Sequence, residues 1–209
     1  MRKNYLIFMF LSVTTGYSYS CTNFLITKEA TVDGSDIITY NADSHELYGE
    51  LYYWPSADYD AKDSLKIFDS DTKKYHGKIK QVLHTYKVVG YMNEHQLAIG
   101  ETTFTGREEL QDTTGIIDYG SLMYITLQRT KTAREAILMF DKLLSEYGYF
   151  STGESFSIAD QNEVWIMDLI GKGVGRKGAV WVARKILRGE PRLKMLLRGG
   201  KRIHDYFRG

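Results

Sequence analysis

The chain has 209 residues, of which 43% are hydrophobic, 25% charged and 13% aromatic, and its formal net charge is +1. This composition predicts a globular, β-rich protein with a real core, and it excludes a largely disordered or fibrous chain. The charge is uneven: residues 1–20 carry +2, residues 184–209 carry +7, and the body between them carries −8.

Residues 1–20 have the layout of a secretory signal. A basic start precedes the apolar run Tyr5–Val13, and Ser18-Tyr19-Ser20 places small residues at the third and first positions before Cys21. The apolar run is too short to span a membrane. We therefore predict cleavage between Ser20 and Cys21, giving a secreted or periplasmic protein without stable membrane insertion.

Two other interpretations of residues 1–20 stay open. One is an uncleaved N-terminal helix. The other is a lipoprotein signal, which also ends just before a cysteine but usually has Leu three residues before it and a small residue two before it. The chain has Ser18 and Tyr19 at those positions.

Cys21 is the single cysteine of the chain, which excludes an intrachain disulfide and a cysteine-cluster metal site. Cleavage after Ser20 leaves Cys21 with a free α-amine. Such an amine titrates at about 7.7–8.0, so part of it is an unprotonated base near neutral pH. The thiolate is the reactive form of sulfur, and a nearby proton acceptor raises its share. Cys21 is therefore the predicted nucleophile and its own amine the predicted base.

A β-hairpin is predicted directly after Cys21. Thr22–Thr27 and Asp36–Asn41 have strand composition, and Val32-Asp33-Gly34-Ser35 is a turn between them. The hairpin geometry returns Asn41 and Asp43 to the end at which Cys21 begins. From spacing alone, a solvated loop carboxylate is an open alternative for Asp43.

The remaining chain predicts short strands and one clear helix. Residues 45–81 are predicted to form short strands within a long connecting segment. The aromatic cluster of this segment, Tyr48, Tyr52, Tyr53 and Trp54, either lines a substrate cleft or forms a half-buried face of a sheet. Thr132 caps a helix that extends to Tyr147 and ends at Gly148, with Glu135 as the capping-box partner. Leu122–Leu127 predicts a helix or a short strand. Further strands are predicted at Val82–Val89 and Gln96–Gly100, which flank a turn at residues 91–94, and at Phe156–Ala159, Glu163–Leu169 and Ala179–Ala183.

Several other function classes are not supported. Gly171–Gly175 lacks the phosphate-loop pattern and predicts a hairpin turn. The histidines show no metal-ligating spacing, and we expect neither a metal nor a cofactor. From Arg184 the strand pattern stops, and the basic tail 184–209 has no amphipathic stripe that would indicate a nucleic-acid or membrane arm.

Separated motifs then suggest a family. They are Cys21-Thr22, Asp33-Gly34-Ser35, Asn41-Ala42-Asp43, GETTFTGREEL at residues 100–110, GESFSIAD at 153–160 and EVWIMDLIGKG at 163–173. Over residues 21–183 the chain resembles the mature dipeptidases of peptidase family C69, which are N-terminal-nucleophile hydrolases. Residues 184–209 do not match that family, so we expect the chain to be a C-terminally truncated or frameshifted member whose activity the truncation impairs.

The resemblance implies an α+β fold, the αββα sandwich of the N-terminal-nucleophile hydrolases, which we expect to be incomplete in this chain. It implies that Asp43, with Asn41 in the same motif, orients the amine of Cys21, and that Thr102 is the oxyanion donor. Related acylases use an amide at the position of Thr102 and an arginine at the position of Tyr40.

The resemblance further implies a cysteine-type dipeptidase that hydrolyses dipeptides through an acyl-thioester. Alternatives are an amidase of acylated small molecules, an inactive fragment, and a lipid-anchored or binding protein in which Cys21 is merely modified. The oligomeric state is left open.

Overall fold

The computed structural model describes residues 21–42 and 49–187. The predicted signal peptide, the tail from residue 188 onward, Asp43 and Tyr48 lie outside the described residues. Strands dominate the described part and helices are few, so the fold is α+β as predicted. None of the helices in these two ranges is long and apolar enough to cross a membrane.

The described part contains thirteen strands and two α-helices. The strands, in chain order, are β1 (Leu25–Ile26), β2 (Ile37–Ile38), β3 (Tyr53–Trp54), β4 (Ala57–Asp58), β5 (Ser64–Phe68), β6 (Tyr75–Lys80), β7 (His84–Thr85), β8 (Val88–Val89), β9 (Met92–Asn93), β10 (Ala98–Thr105), β11 (Gly153–Ala159), β12 (Val164–Gly171) and β13 (Ala179–Lys185). The helices are α1 (Tyr119–Leu127) and α2 (Ala133–Tyr147).

A seven-stranded antiparallel sheet forms the centre of the described part, in the order β13-β12-β11-β10-β9-β8-β3. Long ladders join β10 to β11, β11 to β12 and β12 to β13, with Thr102 opposite Ser155 and Ser155 opposite Asp168. Because opposite residues of an antiparallel ladder share a face, these registers decide which side chains meet on each side of the sheet.

One face of this sheet packs against α1 and α2. The ring of Phe140 from α2 meets the ring of Phe156 from β11 edge to face, with 4.7 Å between centroids. The same cluster includes Ile99, Ile158 and Met167, all buried. Ala136, Leu143 and Leu144 of α2 belong to the same buried cluster, so one face of this helix forms part of the main core.

The opposite face carries the β1–β2 hairpin. Leu25 pairs with Ile38 across the hairpin, and both pack on Ala159, Val164 and Ile166 of the sheet. At the turn, Asp33 Oδ1 accepts a hydrogen bond of 3.0 Å from the Ser35 amide, and Gly34 has a φ of +72°. This confirms the predicted hairpin and its turn chemistry.

The ends of α2 follow the sequence signals with one difference. Thr132 accepts a hydrogen bond of 3.3 Å from the Glu135 amide, and Gly148 ends the helix with a φ of +79°. The Glu135 carboxylate, however, accepts from the Lys131 amide at 2.8 Å instead of closing the predicted box on Thr132. The Thr132 cap is therefore confirmed, whereas the Glu135 carboxylate bonds the amide one residue before the predicted one.

Three predicted elements differ in extent or type. The segment Leu122–Leu127 belongs to a helix that begins at Tyr119, because Asp118 caps it through a 2.9 Å bond from the Ser121 amide. Residues 91–94, predicted as a turn, contain β9. Strand β13 continues past Ala183 to Lys185, and Ile186 beyond it is buried.

Trp54, from the predicted aromatic cluster, is partly buried and packs against the main core. The ring of Trp54 stacks on Tyr124 of α1 at 5.4 Å and on Tyr52 at 5.6 Å. Tyr53, next along the strand, is exposed. Trp54 therefore anchors the edge strand β3 to the helical layer.

Replacing Phe140 by Ala is expected to lower the free energy of unfolding by about 3–5 kcal/mol, since a fully buried aromatic side chain is removed and a cavity stays behind. Leu138, on the same helix, is 66% exposed, and Leu138→Ala is expected to cost about 0.5 kcal/mol or less. Urea unfolding of both variants measures this. Equal costs would contradict the assignment of the core face.

Candidate active site

The β1–β2 hairpin places Cys21 and Asn41 at the same end. The Thr22 amide donates to the Asn41 carbonyl at 2.9 Å, and the Asn41 amide donates back to the Thr22 carbonyl at 3.1 Å. Cys21 directly precedes this pair and is partly exposed. The return of Asn41 to Cys21 is therefore as the hairpin predicts, whereas the role of Asp43 stays a prediction.

The start of the hairpin is held on the sheet by Asn23. Its side-chain amide donates to Ser157 Oγ of β11 at 3.1 Å, and both residues are buried. Gly100 of β10 leaves room for this approach, because a Cβ there would lie 3.0 Å from the Tyr40 Cβ and 3.3 Å from Asn23 Nδ2. A side chain at residue 100 would thus displace the segment that carries Cys21.

Thr102 lies two residues beyond Gly100, on the same face of β10. Its side chain is fully buried, at 0% exposure. Within residues 21–42 and 49–187, its hydroxyl has no hydrogen-bond partner. Leaving such a buried donor unpaired costs stability, so the Thr102 hydroxyl is a donor available to an acceptor that enters this face.

Tyr40 links the hairpin to a buried glutamate. Its hydroxyl donates to Glu101 Oε1 at 2.5 Å, and its ring packs edge to face on Tyr91 at 5.2 Å. Burial and the neighbouring Glu101 charge raise the pKa of Tyr40 far above its ordinary value. The phenol is therefore a fixed hydrogen-bond donor and not an acid.

Glu101 is one of two buried glutamates on adjacent strands. Glu154 of β11 lies opposite Thr103, and Glu101 lies opposite Phe156, so the two glutamates are diagonal neighbours on the helix-facing side. They are 2% and 1% exposed. Thr103 Oγ1 donates to Glu154 Oε1 at 3.0 Å.

Burial raises the pKa of both carboxyls. For Glu101 the loss of hydration outweighs the hydrogen bond from Tyr40, which favours the charged form. For Glu154 the loss of hydration comes first, and the charge of Glu101 adds to it. The charge of Cys21 is a further and smaller cause of the raised pKa of Glu154.

Further acidic residues lie in the turn between β5 and β6 and at the start of α1. Asp118 Oδ2 accepts from the Ser70 amide at 2.8 Å, which docks the turn on α1. The Tyr119 hydroxyl donates to Asp71 Oδ1 at 2.7 Å. Burial raises the pKa of Asp71, and burial together with Asp71 raises that of Tyr119.

Sequence analysis did not single out Glu101, Glu154 or Asn23. A signal for the glutamates is present: Gly-Glu-Thr at residues 100–102 and Gly-Glu-Ser at 153–155 each place a carboxyl inside a segment of small and apolar residues. A carboxylate in a strand is nevertheless usually solvated, so this signal alone does not predict a buried pair.

The chain is similar to a known protein family and to curated proteins. The family model described as Peptidase family C69 matches residues 58–188. The chain is 23% identical to a probable dipeptidase A of Streptococcus pyogenes serotype M1 over 194 residues, which covers 80% of the chain and 37% of that relative. It is 24% identical to a probable dipeptidase of Latilactobacillus sakei over 198 residues, again 80% of the chain and 37% of the relative.

The region that matches the chain makes up a minor part of each relative. The chain spans about 37% of the length of the curated relatives it matches. The family match covers β5 to β13 and both helices, and it includes Thr102, Glu101 and Glu154.

Stability is expected to depend on pH through Glu154. In the unfolded chain this carboxyl ionises near its ordinary pKa of 4.5, whereas in the folded chain burial holds the pKa well above that value. The free energy of unfolding therefore falls as the pH rises above about 4.5 toward the raised pKa. Glu154→Gln removes this contribution, so its free energy of unfolding is expected to fall less than that of the wild type between about pH 5 and pH 8.

Urea unfolding across this pH range measures the effect. Glu108→Gln, at an exposed position, is the control and is expected to parallel the wild type. A Glu154→Gln curve parallel to that of the wild type would show that Glu154 titrates normally in the folded state.

Proposed function

Because the chain belongs to peptidase family C69, we propose that it acts as a cysteine-type dipeptidase whose nucleophile is Cys21. The observation that carries the proposal is the position of Cys21, next to the Thr22–Asn41 pair in the hairpin whose Asn23 and Tyr40 lie against Gly100. The names of the relatives support dipeptides as substrates.

The proposed reaction begins with removal of residues 1–20, which frees the α-amine of Cys21. That amine takes the thiol proton, directly or through a water, and Sγ bonds to the carbonyl carbon of the dipeptide. The carbon–nitrogen bond then breaks, and the proton returns to the leaving amine. Water attacks the acyl-thioester, releases the acid and restores the thiol.

Two residues support these steps. The buried Thr102 hydroxyl would donate to the oxyanion, in keeping with its lack of a partner within the described ranges. Asp43, which follows the paired Asn41 by two residues, would orient the amine. Secretion or export to the periplasm follows from the proposed cleavage.

We also propose that the described part belongs to the αββα sandwich of the N-terminal-nucleophile hydrolases. Two helices cover one face of the seven-stranded sheet, and the β1–β2 hairpin lies on the other face. This layering is what the first half of such a sandwich requires, with the hairpin as the start of a second sheet.

The nucleophile is tested with protein processed to begin at Cys21. We expect the chain to hydrolyse members of a dipeptide panel and to leave an acyl-amide panel intact. Cys21→Ser is expected to lower kcat by about 10³-fold or more, because a serine hydroxyl is a far weaker nucleophile at the same base. Glu29→Gln, an exposed change on the same hairpin, should retain full activity. Equal rates in the Cys21→Ser and wild-type proteins would refute the proposed nucleophile.

The oxyanion role is tested by Thr102→Val. Removing the hydroxyl is expected to lower kcat by about 10²-fold, as for other lost oxyanion donors. Because the hydroxyl is buried without a partner in the described part of the chain, its removal should leave the free energy of unfolding unchanged or higher. A variant with normal kcat, or one that loses stability in proportion to activity, would argue for a purely structural threonine.

A further inference from the structure

We propose that a second site of the chain, the cavity between α2, the end of α1 and residues 80–83, binds a small organic monocarboxylate with an apolar body. This α2 cavity has a volume of about 510 Å³, and sites for small molecules usually have volumes of about 300–1,000 Å³. None of the described residues that line it belongs to the candidate active site. The proposal therefore goes beyond the proposed function and does not rest on it.

The walls of the α2 cavity come from three parts of the fold. The helix contributes positions i, i+3, i+4 and i+7 of one face, which are Met139, Lys142, Leu143 and Glu146. Residues 80–83 form the facing wall, and Arg129 lies just beyond the end of α1. Both helices pack on the face of the central sheet that is opposite the β1–β2 hairpin. The α2 cavity is thus on the helical side of the sheet, away from Cys21.

Arg129 supplies a guanidinium whose hydrogen-bonding capacity is only partly used. Its Nη2 donates to the Lys80 carbonyl at 3.2 Å and to Gln81 Oε1 at 3.1 Å. Its Nε is buried and has no acceptor within residues 21–42 and 49–187. Burial lowers the pKa of Arg129, yet a guanidinium keeps its charge at any ordinary pH. A partly desolvated positive charge with an unused donor favours an anion as the ligand.

The charges around the α2 cavity are positive overall. Lys80 and Lys142 line it together with Arg129, whereas Glu146 is the single carboxylate among its described lining residues. The charge of Glu146 acts on Arg129, but no ion pair joins the two in the described part of the chain. Three positive groups that face one cavity repel one another, and a bound anion offsets this repulsion.

The apolar part of the lining determines the rest of the ligand. Val82, Leu83, Met139 and Leu143 present carbon to the α2 cavity. Leu143 is buried, whereas Leu83 is 63% exposed, so the apolar lining includes both core and surface side chains. An apolar body would cover this surface, which an inorganic anion such as phosphate would leave in water. Glu146 would repel a second acidic group, which favours a monocarboxylate over a dicarboxylate.

Binding is tested with 4-methylpentanoate and the full 209-residue chain, in which the methionine methyl groups carry ¹³C. The Met139 methyl signal, assigned by its loss in Met139→Leu, is expected to shift and to saturate as the carboxylate is added. Met92, an exposed methionine outside the α2 cavity, reports non-specific binding and should not move.

Two further probes separate the charge from the apolar body. The neutral 4-methylpentan-1-ol and inorganic phosphate are each expected to bind at least about tenfold more weakly than 4-methylpentanoate, since each lacks one of the two interactions. A Met139 signal that does not saturate, or an alcohol or phosphate that binds as tightly as the carboxylate, would overturn the proposal.

Variants locate the charge that holds the carboxylate. Arg129→Gln is expected to weaken 4-methylpentanoate binding at least about tenfold. This variant also loses the bonds to Lys80 and Gln81, so Lys142→Gln, which leaves them intact, is the second test. It is expected to weaken binding about two- to fivefold, as for an exposed charge. Lys66→Gln, an exposed lysine outside the α2 cavity, is the matched control and should bind like the wild type.

Equal affinities in Lys142→Gln and Lys66→Gln would overturn the site, because the net charge of the protein and not this cavity would then attract the anion. Wild-type affinity in Arg129→Gln would overturn the role of the guanidinium. Neither measurement uses dipeptide hydrolysis, so failure of the proposed function would leave this inference standing, and the reverse.

Discussion

The register between β10 and β11 is the constraint on which the candidate site depends. With Thr102 opposite Ser155 and Thr103 opposite Glu154, one face of this strand pair carries the two glutamates and the other carries Gly100 and Thr102. A slip of one residue would exchange the faces. The carboxyls would then lie under the hairpin, and the bulkier side chains would displace Cys21. The apolar layer around Phe140 and Phe156 fixes this register, because a slip would also expose the core.

Local signals were sufficient to predict much of the fold. The Asp33-Gly34-Ser35 turn, the Thr132 cap and the Gly148 stop each act within a few residues, and each is present as predicted. The failures have non-local causes. Strand β9 forms where a turn was predicted because it pairs with both β8 and β10. Helix α1 begins early at Tyr119, where Asp118 both caps it and binds the β5–β6 turn.

The candidate site was predictable only in part. Cys21 followed from the residues before it, and the return of Asn41 followed from the hairpin pattern. Thr102 was inferred from the resemblance alone, although its buried unpaired hydroxyl within the described ranges suits the role. The glutamates were missed because a carboxyl in a strand is usually solvated, and their pairing depends on two strands distant in sequence. Asp43 lies outside the described residues, and the chain spans 37% of the length of its curated relatives.

The most direct test of the central claim is detection of the acyl-enzyme. The processed chain is mixed with a dipeptide substrate, quenched in acid and examined by peptide mass spectrometry. Cys21 as the nucleophile predicts that the N-terminal peptide gains the mass of the substrate's acyl residue, as a thioester that hydroxylamine removes. Turnover with an unmodified Cys21 peptide under the same conditions, or an acyl group on another residue, would contradict the account.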